Sequence, residues 1–190
     1  MFAPSDSWTG NLQRFVYRML RSARLDGATF RSLRDDSSAT GQSVAVLALA
    51  GLSFGLGFAV SIGSDPFVDL LGGVIGVIIG IVVGFVWLSL TYLVVTRIFK
   101  GASGYWSLAR PVFFASSPGL VFLLMIPFPP ISEIFRALGL VWISISNVLA
   151  VKNSMGFDNQ RSLVTFIIVA FVLLIIYGLL ISIFEPIPIS

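Results

Sequence analysis

Cysteine and histidine are both absent from the 190 residues, and only 11% of the chain is charged. The first absence excludes disulfides, thiol nucleophiles and thiolate metal sites, and the second removes the side chain most used as a general base near neutral pH. Against 56% hydrophobic residues and a mean hydropathy of +0.97, so few charges cannot cover a water-soluble globule. A short net charge of +3 offers nucleic acid little, and half of the twelve basic residues precede the first apolar run, which points to a membrane surface.

What is present is a set of five apolar runs, at about 44–62, 70–95, 108–126, 131–151 and 163–184. A helix needs roughly 20 such residues to cross a hydrocarbon core of about 30 Å, and runs this continuous lack the alternation of a barrel. The expected fold is all-α: a polytopic integral membrane protein, a bundle of five transmembrane helices (43–190) behind a cytoplasmic amphipathic segment (1–42). Lys and Arg in successive non-membrane segments count 6, 0, 3, 1, 2, 0. Basic residues near span ends stay in the cytoplasm, so the N-terminus is expected there and the C-terminus outside or in a lumen. No cleavable leader is visible in the first 40 residues, so the first span is expected to direct insertion. The membrane is the cell membrane in a prokaryote, or Golgi and ER in a eukaryote.

In the head, Leu12, Phe15, Val16, Met19 and Ala23 fall at helical spacing, while Arg14, Arg18 and Arg21 occupy another stripe. With Trp8 and Tyr17 as interfacial aromatics and Arg24 following, this predicts a helix lying on the cytoplasmic leaflet against anionic lipids. Six arginines ahead of a first span also serve simply as a topology signal. Asp26 and Gly27 mark a break, and Ala28 to Arg34 a second short helix ended by Asp35, Asp36, Ser37 and Ser38.

Gly72, Gly76, Gly80 and Gly84 recur every four residues on the second span. Each costs a helix about 1 kcal/mol relative to alanine, a cost that close backbone packing offsets in lipid. By depth, Gly51 and Gly55 of the first span match Gly84 and Gly80, which predicts a first–second span contact; a homodimer seam is the alternative. The second span is longer than one crossing needs and is expected to tilt or kink near Gly72 and Gly73. Pro118 predicts a bend in the third span at Ser117, and Pro186 and Pro188 are expected to stop the fifth.

Polar residues gather in the inner half of the membrane: Thr91 and Tyr92 on the second span, Ser116, Ser117 and Pro118 at the bend, and Ser144, Ser146 and Asn147 on the fourth. They read either as a small hydrated groove or as interhelical hydrogen bonds. No ionisable side chain is expected inside a span core, which removes support for a proton relay. Asp35 and Asp36 read as a solvated cap; Asp65, Asp69, Glu133, Glu185 and Asp158 are scattered. Neither a general acid–base pair nor a nucleotide loop is visible, so no catalytic residue, metal site or cofactor is expected and the chain reads as no enzyme.

From Lys100 onward, the stretch Gly101 to Pro111, then Ala115 to Pro118, Ile126 with Pro127, Leu138 to Trp142 and Ala150 to Lys152 resembles the Yip domain family of Ypt- and Rab-interacting membrane proteins. Leu25 with Asp26, and Asp35 with Asp36 before Thr40, Gly41 and Gln42, are similar to prokaryotic members. The resemblance implies a five-span bundle with a cytoplasmic N-terminus and a role in membrane trafficking through partner proteins. The short head, and Phe113 to Ser116 in place of a tyrosine-bearing stretch, count against small GTPase binding. The function expected is a non-enzymatic scaffold or adaptor that organises lipids, other membrane proteins or copies of itself. A small transporter, channel or lipid-moving protein using the groove is the alternative.

Overall fold

The structure, a computed structural model, describes residues 8–63 and 65–184, so Ser64, Glu185, Pro186 and Pro188 lie outside the described residues. The described chain is helical: α1 (Trp8–Ala23), α2 (Gly27–Asp35), α3 (Thr40–Ser61), α4 (Pro66–Leu93), α5 (Tyr105–Phe114), α6 (Ser132–Met155) and α7 (Asn159–Phe184). Five segments are long and apolar enough to cross a membrane: Ser37–Ser61, Pro66–Ile98, Tyr105–Met125, Pro129–Met155 and Asn159–Leu179.

Local chemistry sets the boundaries. Asp26 caps α2 by accepting from the Ala28 and Thr29 amides, after a reversal in which Leu25 takes a φ of 63°. Asp65 does the same for α4, with Pro66 in the first turn, where its missing N–H costs nothing. Gly156 ends α6 at a φ of 66°, the left-handed geometry glycine adopts without penalty.

α4 begins at Pro66, one turn before the expected Leu70, and this changes the register of the first hairpin. Gly51 lies against Gly76 and Gly80, and Gly55 against Gly72 and Gly76, while Gly84 meets the Leu47 side chain. The glycine pairs are therefore displaced from the depth match read in the sequence, because α3 runs to Ser61 and α4 already starts at Pro66. A Cβ on Gly76 would stand 2.8 Å from the Gly55 Cα, and one on Gly80 2.8 Å from the Gly51 Cα, so only glycine permits this approach. Nor does α4 break near Gly72 and Gly73. It runs unbroken to Leu93, and the irregularity falls at its end, in a π turn over Val94–Ile98 followed by Lys100 at a φ of 53°. The glycine stripe is braced by α3 over its length, which leaves the unpaired end to absorb the excess.

The third span is the centre of the bundle, with 72% of its apolar window buried against 11% for the second. α5 stops at Phe114, and Ser117–Met125 continues as a 3-10 helix packed between α3 and α6. Pro118 has no amide to donate and excludes the α-helical ladder, so the break is a change of helix type as well as a bend. Gly57 and Gly139 make room for Phe122 on either side of this narrower helix. Beside the break, Leu47, Leu88, Val95, Leu108, Val112, Phe113 and Val151 form the main apolar core.

Gly55→Ala is expected to lower the melting temperature in detergent by the equivalent of about 1–3 kcal/mol of overpacking, whereas Gly178→Ala, with open space at its Cβ position, should leave it unchanged or raise it. Equal effects of the two substitutions would contradict the backbone contact.

Candidate functional site

Arg110 sits in α5, inside the third span, and is only 7% exposed. Its basic charge belongs, by sequence, with the preceding loop, and the expectation that no ionisable side chain enters a span core is corrected here. The guanidinium finds no carboxylate among the described residues. Its Nη1 donates to the Arg34 carbonyl at 2.6 Å and the Leu33 carbonyl at 3.4 Å, and its Nε to Thr40 Oγ1 at 3.1 Å. Those carbonyls belong to the last turn of α2, where the helix dipole concentrates negative potential. Arg110 thus bolts the head to the bundle. Arg110 lies two residues inside the run at about 108–126, and a lone Arg before Pro111 was the available signal, although the charge count assigns it to the preceding loop.

The head is folded onto the bundle accordingly. Phe30 is fully buried beside Ala115 and Ala150, and Leu33, Ala39 and Met19 pack with Val46 and Phe114. The Trp142 indole donates to the Ala23 carbonyl at 2.9 Å, and Arg31 donates to Asn153 Oδ1. α1 is thus packed on the bundle, against Phe114 through Phe15 and against α6 through the Trp142–Ala23 hydrogen bond.

The apolar residues of α1 divide into two faces. Phe15 and Met19 turn inward, whereas Leu12, Val16, Tyr17 and Leu20 are exposed. The arginines also divide. Arg18 pairs with Asp36 and donates to Gln42 at 2.9 Å; Arg21 pairs with Asp26 at 2.8 Å and lies over the Tyr17 ring. Two of the predicted lipid-facing arginines are therefore engaged internally, and Arg14 and Arg24 have no side-chain partner among the described residues. Trp8 opens α1, and its side chain falls outside what is described. Asp36 is correspondingly more than a solvated cap, since it holds both Arg18 and the Ser38 amide.

The predicted polar set is only partly assembled. Thr91, Ser117, Ser144 and Asn147 each donate to a carbonyl of their own helical segment or the turn before it, at Trp87, Phe114, Leu140 and Ile143. Interhelical hydrogen bonding by these side chains is thus replaced by local back-bonding, which short polar side chains favour inside helices. Tyr92 packs on Tyr105 away from the others, and Ser117 and Pro118 are buried at the break. Ser116, Ser144 and Asn147 all line a groove of about 750 Å³ between the α3–α4 hairpin and α6. The groove is overwhelmingly apolar, which does not suit the hydrated one of the two readings of these residues. Among the described residues no three Asp or Glu side chains converge to hold a metal ion.

The family model described as Yip1 domain matches residues 20–182, nearly the whole chain. The chain belongs to the Yip1 domain family. Among curated proteins and solved structures nothing matches it. As a Yip1 domain protein it is an integral membrane protein with a membrane-associated role of the trafficking type. The matched region starts at Leu20 and so takes in the end of α1 and all of α2, the parts that Arg110 and Trp142 hold.

Two carboxylates in the head of this Yip1 domain protein are shifted. The Thr29 hydroxyl, followed by Arg21, holds the Asp26 carboxyl down at about 2; the Ser38 hydroxyl, followed by Arg18, lowers that of Asp36. A depressed folded-state value contributes stability above the ordinary value of 3.8 that is lost as pH falls through about 2. Head docking, read by trypsin resistance of Arg24 and Arg31 after brief acid exposure, should be flat from pH 5 to 8 and weaken only below about pH 4. Asp26→Ala should cost about 1 kcal/mol at neutral pH and abolish most of that acid dependence.

Proposed function

We propose that this Yip1 domain protein is a non-enzymatic scaffold or adaptor that organises anionic lipids, and partner proteins with them, around a basic, docked head. One observation carries the reading. α1 is packed on the bundle with Leu12, Val16, Tyr17 and Leu20 facing outward, and Arg14 and Arg24 have no partner beside them among the described residues. That pairing of an apolar stripe with free cations suits the boundary between headgroups and acyl chains. Every Lys and Arg except Arg136 lies toward the head end of the bundle, which supports a cytoplasmic head and an external or lumenal C-terminus. Small GTPases are left out of the proposal, because the buried face of α2 is committed to α5 and α6.

The alternative of a small transporter, channel or lipid-moving protein draws on the groove. Its lining holds no ionisable side chain, which gives a proton relay no support, so the alternative draws mainly on the handling of neutral lipid.

Each basic residue near an anionic surface contributes about 1 kcal/mol. In nanodiscs of mixed phosphatidylcholine and phosphatidylserine, native mass spectrometry is expected to find phosphatidylserine enriched on the wild-type protein. Arg14→Gln with Arg24→Gln should reduce that enrichment several-fold without changing the melting temperature. No preference in the wild type would contradict the proposal.

A further inference from the structure

The head meets the bundle at the level of the spans, and on one side of it. Ala115 is the middle residue of the third span, Tyr105–Met125, and Trp142 that of the fourth, Pro129–Met155. Phe30 of α2 packs on Ala115 and Ala150, Phe15 of α1 meets Phe114, and the Trp142 indole holds the Ala23 carbonyl. Arg110 and Asn153, which bind α2, lie closer still to the head-side ends of those spans. α1 and α2 are thus lodged beside the head-side halves of the spans, with α1 also touching the start of the region where the third span turns 3-10. Helices in that position displace the acyl chains of one leaflet, and the exposed Leu12, Val16 and Leu20 suit contact with them.

The opposite half of the molecule narrows. From Ser117 the third span is a 3-10 helix, slimmer than an α-helix, and Gly57 and Gly139 admit Phe122 at its flanks. The first hairpin tapers in the same direction. Gly51 and Gly55 lie against the backbone of Gly72 and Gly76, whereas one turn nearer the head the Leu47 side chain stands between the two helices, against Gly84. Among the described residues, the head-side leaflet therefore meets seven helices and the far leaflet five, namely α3, α4, the 3-10 segment, α6 and α7. This asymmetry is one of volume, and no charge enters into it.

We infer that the protein is a wedge whose partner is a curved lipid surface, and that it concentrates in membrane whose head-side leaflet forms the convex face. Extra protein section in one leaflet is accommodated when that leaflet is expanded by convex curvature, the sense in which amphipathic helices lying in one leaflet respond to curvature. The inference goes beyond the anionic-lipid reading and is independent of it, since it requires no charged headgroup.

The test uses the full-length chain in giant vesicles of neutral dioleoylphosphatidylcholine, from which a narrow membrane tube is drawn. Ala102→Cys, exposed in the loop on the head side of the bundle, gives the cysteine-free chain a single dye position. A membrane-impermeant dye marks molecules whose head faces out. In a sample labelled before reconstitution, an impermeant reductant of the dye leaves only those whose head faces in. Head-out molecules should be at least about twofold denser on the tube than on the parent vesicle, and head-in molecules depleted by a similar factor. Arg110→Met, whose head is freed from the bundle, should lose at least about half of that enrichment. Equal density on tube and vesicle, or enrichment of both orientations alike, would overturn the wedge, and this comparison needs no folded variant. Enrichment undiminished in Arg110→Met would overturn its assignment to the docked head.

Discussion

A guanidinium cannot shed its charge inside a protein, and burying one without partners costs several kcal/mol. Arg110 is buried one to two turns into the third span with no carboxylate beside it among the described residues, so it must be supplied with oxygen from elsewhere. The last turn of α2 supplies it through two backbone carbonyls that the helix itself leaves unpaired, with Thr40 completing the fork. That requirement places α2 between α5 and α6, which buries Phe30 and Leu33. Through the turn at Asp26 it also fixes where α1 crosses the bundle. The head is thus a structural part of the membrane domain.

The second constraint is the break below Phe114. Pro118 ends the α-helical ladder, and the following 3-10 segment is slimmer than an α-helix, so it fits between α3 and α6 where Gly57, Gly119 and Gly139 leave little more than backbone. The glycine-lined α3–α4 hairpin closes tightly on itself instead of against α6, and the space left between hairpin and α6 is the groove. One proline and two glycine stripes together explain why the bundle is dense at the head end and open to the side.

The spans were legible because lipid demands long apolar runs, and the break at Pro118 because proline lacks a donor. The glycine stripe was legible as a packing face, but its register was not: a start at Pro66 instead of Leu70 moves every pairing, and helix starts are set by a cap, here Asp65, that hydropathy does not register. The two faces of α1 could not be separated by composition, since Phe15 against Phe114 and Val16 against lipid are equally apolar. Ser117, Ser144 and Asn147 looked like partners for other helices, but a short polar side chain reaches the carbonyl behind it first. Arg110, at the edge of the run at about 108–126, is counted with the loop's charges because nothing in the string shows that α2 folds back to meet it.

The docking of the head through Arg110 is tested most directly by a distance. The chain has no cysteine, so spin labels placed at Val16 and Leu140, both exposed, report only the separation of α1 from α6. In nanodiscs the wild-type protein should give one narrow distance distribution, and Arg110→Met should broaden it as the head leaves the bundle. A broad distribution in the wild type, or an equally narrow one in Arg110→Met, would contradict the account.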